Sequence, residues 1–145
     1  MEQVLWTRRP LPSMPGVALA VWHRELCTPI DLTVSRSELQ ATVRTPRLQD
    51  EAPVDLDELL LVFEELSSNG LRHGRAPVTV RVVAANGGWL VDVTDAAIDH
   101  PPVPAVDRDP SDGGLGLHLV ARLCRAHGWM VDDGRKHVWA CLEAA

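Results

Sequence analysis

Residues 55–74 read DLDELLLVFEELSSNGLRHG, and how that stretch folds decides the architecture. Leu56, Leu59, Leu60, Phe63, Leu66 and Gly70 recur at i, i+3, i+4, i+7 spacing, which at about 100° per residue makes one continuous apolar stripe. The spacing predicts a helix over about 56–73. Asp55 can cap its start, and Glu58 three residues on would complete a capping box. Two polar residues border the stripe: Glu65 and Asn69 lie one turn apart on the same line, and His73 continues it. A carboxylate half-shielded by a packed layer can serve as a base, and an amide oxygen can join the shell of a hard cation. A solvated helix flank is the plainer alternative, and for Glu58 and Glu64 it suffices.

A helix with so strong a stripe must pack on something, and the flanking sequence supplies a sheet. VTVRVVAA (78–85) and WLVDVTD (89–95) are rich in β-branched residues and meet through Asn86-Gly87-Gly88, which predicts a hairpin. WMVDDGRKHVWACLE (129–143) predicts two further strands turning at Asp133-Gly134. Upstream, GVALAVWHREL (16–26) alternates at Val17, Leu19 and Val21 and predicts a strand, with a helix as its rival. Thr28-Pro29 then opens a helix carrying Leu32, Leu39 and Val43. RTPRLQDEAPVD (44–55) is expected to be a loop. GGLGLHLVARLCRAHG (113–128) predicts a glycine-rich entry into a helix, with Leu115, Leu119, Leu123 and Ala126 on one face. The order of elements predicts an α+β two-layer sandwich, a mixed but mostly antiparallel sheet with helices on one face.

The 145 residues, 46% hydrophobic, are the size of one domain. We expect a single domain over 1–145, with an N-terminal arm and first strand in 1–30 that leave room for a homodimer or a docking role. A net charge of -6 with scattered basic residues argues against nucleic acid, whose binding needs clustered cations. No apolar run approaches the roughly 18 residues of a membrane span, and the N-terminus lacks the apolar core of a secretory signal. A cytoplasmic protein without membrane contact is expected. Cys27, Cys124 and Cys141 lack C-x-x-C spacing and sit in apolar sequence, so buried free thiols are expected. The histidines have no ligand spacing, and the five tryptophans are expected to pack in the core and at its edges.

Between the hairpin and the last helix, residues 96–112 are crowded with proline and aspartate, which suits a long loop and a candidate lid. Asp95 ends a strand just before it and could accept a hydrogen bond from an exocyclic amine such as adenine's. After the loop, Gly113, Gly114 and Gly116 can bring backbone N–H groups against phosphate oxygens at a helix N-terminus. Lys136 is the sole lysine and follows Arg135, so there is no P-loop, and the glycines after 112 spell no dinucleotide fingerprint.

In this order, E-L-S-S-N at 65–69 with R-H-G at 72–74, then V-T-D-A-A at 93–97, then G-G-L-G-L at 113–117 resemble the N, G1 and G2 boxes of the GHKL ATPase superfamily. The spacing is similar to that of its anti-sigma-factor serine-kinase branch. The resemblance covers about residues 55–142 and implies a Bergerat-type ATP-binding core there. It implies that Glu65 is the general base, that Asn69 binds Mg²⁺ bridging the phosphates of ATP, and that Asp95 holds the adenine amine. Gly113, Gly114, Gly116 and Leu117 would line the phosphate lid. The implied activity is transfer of the ATP γ-phosphate to a serine of an anti-sigma antagonist, with a sigma factor or that antagonist as partner. The alternative is a non-catalytic module of the same fold. Two departures stand out. Asp95-Ala96-Ala97-Ile98-Asp99 lacks both glycines of the usual D-x-G-x-G, and Arg135-Lys136-His137 stands where relatives often carry small residues or threonine.

Overall fold

Alternation along the strands builds the sheet. In the computed structural model, which describes residues 6–12, 18–85, 87–102 and 115–145, five strands form: β1 (Ala20–Leu26), β2 (Val78–Ala85), β3 (Gly88–Asp95), β4 (Ala126–Asp132) and β5 (Arg135–Glu143). They lie in the order β1-β2-β3-β5-β4, and every strand pair is antiparallel. Successive side chains point to opposite faces, so Trp89, Val91 and Val93 of β3 share one face with Val138, Ala140 and Leu142 of β5. This face carries the helices, α1 (Pro29–Val43), α3 (Leu56–His73) and α4 (Leu115–Leu123), as the two-layer α+β reading requires.

α3 is the keystone of the core. Leu59, Val62, Phe63 and Leu66 are each 1% exposed or less, and Phe63 meets Trp22 of β1 edge-on, with ring centroids 5.9 Å apart. Truncating a side chain so enclosed costs about 3–5 kcal/mol for a Phe→Ala change. Asp55 caps α3 by accepting from the Glu58 N–H at 3.1 Å. At the start of α1, the Asp31 carboxylate accepts from the N–H groups of Cys27 (2.8 Å) and Thr28 (3.0 Å), which hold it below the ordinary carboxylate range.

The opposite face of the sheet carries a smaller apolar cluster of Val83, Leu90, Trp139 and Cys141, with Leu11 packed on it. Residues 6–12 run along the β4 edge. Arg8 bridges Trp129 in parallel, the Arg9 N–H donates to the Trp129 carbonyl at 2.8 Å, and the Trp139 indole donates to the Arg9 carbonyl at 3.1 Å. The described part of the arm thus covers an edge strand of its own sheet.

Three local expectations need revision, and one choice is settled. The 44–55 loop contains a short helix, α2 (Pro46–Glu51), because Thr45 and Pro46 form a helix start that the two prolines of the segment obscured. Ala126 belongs to β4 and not to the preceding helix, which ends at Leu123. The segment around 20–26 is a strand, settling the strand-or-helix choice. Cys27 is exposed, at the turn between β1 and α1, whereas Cys124 is half-buried and Cys141 buried. Burial pushes the Cys124 thiol up to about 12 and raises that of Cys141, so neither is a nucleophile at neutral pH. Of the tryptophans, Trp6, Trp89 and Trp139 are buried and Trp22 and Trp129 pack partly against the core. Among the described residues, no helix is long and apolar enough to cross a membrane.

Candidate functional site

Glu65, Asn69 and His73 share one line of α3, but their surroundings differ: Glu65 lies against Gly116 of α4, whereas Asn69 and His73 face the end of β5. Asn69 and His73 line a cavity of about 430 Å³ with Lys136 of β5 and the loop from Asp99 to Pro102. That volume lies within the range of small-ligand sites. Asn69 is 8% exposed, and its carboxamide has no hydrogen-bond partner among the described residues. Its amide atoms are not among the buried polar atoms left without a partner, so they open on the cavity, where water or a ligand can reach them. This is the strongest local sign of a ligand.

One turn earlier, Glu65 is half-buried beneath the first turn of α4. A Cβ at position 116 would fall inside the Glu65 carboxyl, so with any residue but glycine there the Glu65 side chain would have to move aside. Burial pushes the Glu65 carboxyl above its ordinary value, Glu64 adds to the push, and Arg72 pulls it back. A carboxylate with a raised proton affinity is the kind of group that can accept a proton near neutral pH. Gly116 therefore meets Glu65 directly, while Leu117 is 1% exposed and packs with Val120 in the main core. Gly113 and Gly114, together with the acidic lid residues Asp107, Asp109 and Asp112, lie outside the described residues.

Asp95 is held differently. It ends β3 on the helix-facing side, 1% exposed, and both carboxylate oxygens are engaged within the chain. Oδ1 accepts from the Ala97 N–H at 2.7 Å, an Asx-turn, and from the Arg75 N–H at 3.4 Å. Oδ2 lies 3.3 Å from Nζ of Lys136, its direct cross-strand partner. Lys136 is 2% exposed and also donates to the His100 carbonyl at 2.7 Å, fastening the loop that follows β3. The end of α3 closes over this pair: a Cβ at Gly74 would come within 2.6 Å of the Asp95 Cγ.

Sequence reasoning did not foresee Lys136 in this role, although a signal existed. Lys136, Val138, Ala140 and Leu142 alternate, which puts the sole lysine on the apolar face of its strand. The arrangement as a whole offers a candidate base, a partnerless amide and a cavity on one side, and a self-neutralised carboxylate on the other.

Comparison with known families agrees with this geometry. Residues 27–142 match the family model described as the histidine kinase-like ATPase domain, and the chain belongs to that family. Membership places it in the GHKL superfamily and supports ATP binding and a regulatory role. No curated protein matches the chain. Against ATP with a divalent ion, the residues fit at one end: Asn69 offers a free amide oxygen to a hard cation, and Glu65 offers a base under Gly116. At the other end Asp95 is less open: Oδ1 accepts from two backbone N–H groups and Oδ2 lies against the Lys136 ammonium, so an adenine amine would share the carboxylate with them.

Proposed function

We propose that the chain is an ATP-dependent regulator of the anti-sigma serine-kinase type. Asn69 would hold a Mg²⁺ ion on the phosphates, and Glu65 would accept the proton of a serine hydroxyl on a partner protein, an anti-sigma antagonist. When bound, Mg-ATP supplies the phosphoryl group and the charge neutralisation. This chain's residues orient the hydroxyl, take up its proton and exclude water. The observation that carries the reading is the pairing of Asn69, whose amide opens on the cavity with no partner among the described residues, with a Glu65 carboxyl whose proton affinity burial has raised, one turn apart on α3.

Equilibrium binding of ATP with and without Mg²⁺ is the first test. Asn69→Ala should remove the magnesium-dependent part of the affinity. Glu65→Gln should keep nucleotide binding while lowering phosphoryl transfer to a serine-bearing antagonist by about 10²–10⁴-fold, the usual contribution of a general base. Binding that is indifferent to Asn69→Ala would remove the proposal.

A second reading, a partner-binding module of the same fold with weak or no ATP turnover, is favoured by the occupied state of Asp95. Transfer that disappears in Glu65→Gln would exclude it. A sigma factor is the other partner the reading admits, and either partner would engage a cytoplasmic protein.

A further inference from the structure

The cavity beside Asn69 meets Lys136, not Asp95. The carboxylate that should judge a nucleobase is 1% exposed and absent from the cavity wall, whereas the lysine ion-paired with it forms part of that wall. An ammonium group has three donors and no acceptor. Two of those donors have partners at Asp95 and the His100 carbonyl. On its β5 side, where Lys136 takes the place of Asp95, a ring therefore finds a donor-only cation, while the exposed Asp99 carboxylate lies on the loop side of the cavity. Against Lys136 an exocyclic amine such as adenine's, itself a donor, gains nothing, and a ring carbonyl oxygen can accept.

Displacing the lysine is no easy alternative. A buried ion pair broken on one side leaves an uncompensated charge in a low-dielectric site. Asp95 is also held by two backbone N–H groups, and Lys136 anchors the 96–102 loop through His100. Freeing the carboxylate for a ligand would dismantle both contacts.

We propose that Lys136 is a base-selecting residue: by occupying Asp95 and lining the cavity in its place, it abolishes the preference for adenine, so that a purine carrying a carbonyl oxygen binds at least as well. This inference rests on the nucleotide reading of the site. It concerns the base alone and leaves the roles of Glu65 and Asn69 untouched.

Paired titrations of wild-type protein with Mg-ATP and Mg-ITP test it, since the two differ by an amine against a carbonyl at one ring position. Wild type should bind ITP as tightly as ATP or tighter. Lys136→Thr, which removes the cation and opens space before Asp95, should favour ATP by about tenfold or more, as expected for one hydrogen bond to a charged acceptor. Circular dichroism checks that the variant folds. Should it not, the wild type decides, because its sole lysine gives one side-chain signal after lysine-selective isotope labelling. That signal should move on adding ITP. An unmoved lysine signal, or wild-type protein that prefers ATP by about tenfold or more, would overturn the inference while sparing the nucleotide reading. ATP binding that appears only in Lys136→Thr would support it strongly. No nucleotide binding by either protein would overturn the nucleotide reading, and this inference with it.

Discussion

The two ends of the candidate site solve opposite problems. At the α3 end, polar groups are left open: the Asn69 amide faces the cavity with no partner among the described residues, and the half-buried Glu65 carboxyl forms no ion pair among them, only feeling the pull of Arg72. At the β3–β5 end, polar groups are well satisfied, with Asp95 receiving two N–H groups and an ammonium while almost wholly buried. Polar groups open to a cavity are ready for a ligand. A well-satisfied end is rigid and offers a ligand little beyond the remaining donor of Lys136. The contrast supports the proposal that phosphate chemistry belongs to the first end, with the second a structural clasp.

Breaking the clasp should have the largest effect on stability. Lys136→Met keeps most of the volume but strands the Asp95 charge in the core, and a loss of about 3–5 kcal/mol is expected in urea unfolding. The double variant Asp95→Asn/Lys136→Met should recover most of that loss, because neither member is then a buried charge and the Asn oxygen can still accept from Ala97. Additive losses in the two single variants and the pair would mean that the 3.3 Å contact carries no coupling. Next in size is Gly74→Ala. Its Cβ would crowd the Asp95 carboxyl and the Gly70 carbonyl, the latter a backbone atom that cannot swing aside. Overpacking of this kind costs about 1–3 kcal/mol, and thermal unfolding of the variant checks it.

How much of this was legible beforehand follows from the range of the interactions involved. α3 announced itself because a period of 3.6 over five turns is a local signal. The β2–β3 and β4–β5 hairpins did so because their partners are neighbours in the chain. α2 was hidden by its length of six residues, too short for periodicity to speak over two prolines. The pairing of Glu65 with Asn69 was visible, since one helix fixes it. The clasp was not. Asp95 faces Lys136 only because β5 inserts between β3 and β4, a pairing made 41 residues later in the chain that no local pattern specifies. Parity on β5 could have shown that Lys136 points inward, but not what it would meet. The same holds for Gly116, where glycine leaves room for a side chain on another helix.

The smallest effect is also the one that separates the two ends by sign. Glu65 is penalised by its surroundings when charged, as its raised proton affinity records. In the unfolded chain it titrates at the ordinary value of 4.5, and in the folded chain above that. Below both values the group is neutral in either state and burial costs nothing through ionisation. As pH rises through this window the unfolded state loses its proton first, so the folded state loses stability, and above the folded value the full penalty applies. Glu65→Gln, which stays neutral, should therefore be more stable than wild type near neutral pH, with the advantage shrinking to nothing under acid conditions. Urea unfolding of the two proteins at a series of pH values reads this directly. A glutamine variant that is less stable than wild type at neutral pH would mean that Glu65 has a stabilising partner. The α3 end would then be a clasp like the other, and its claim to be the reactive end would fail.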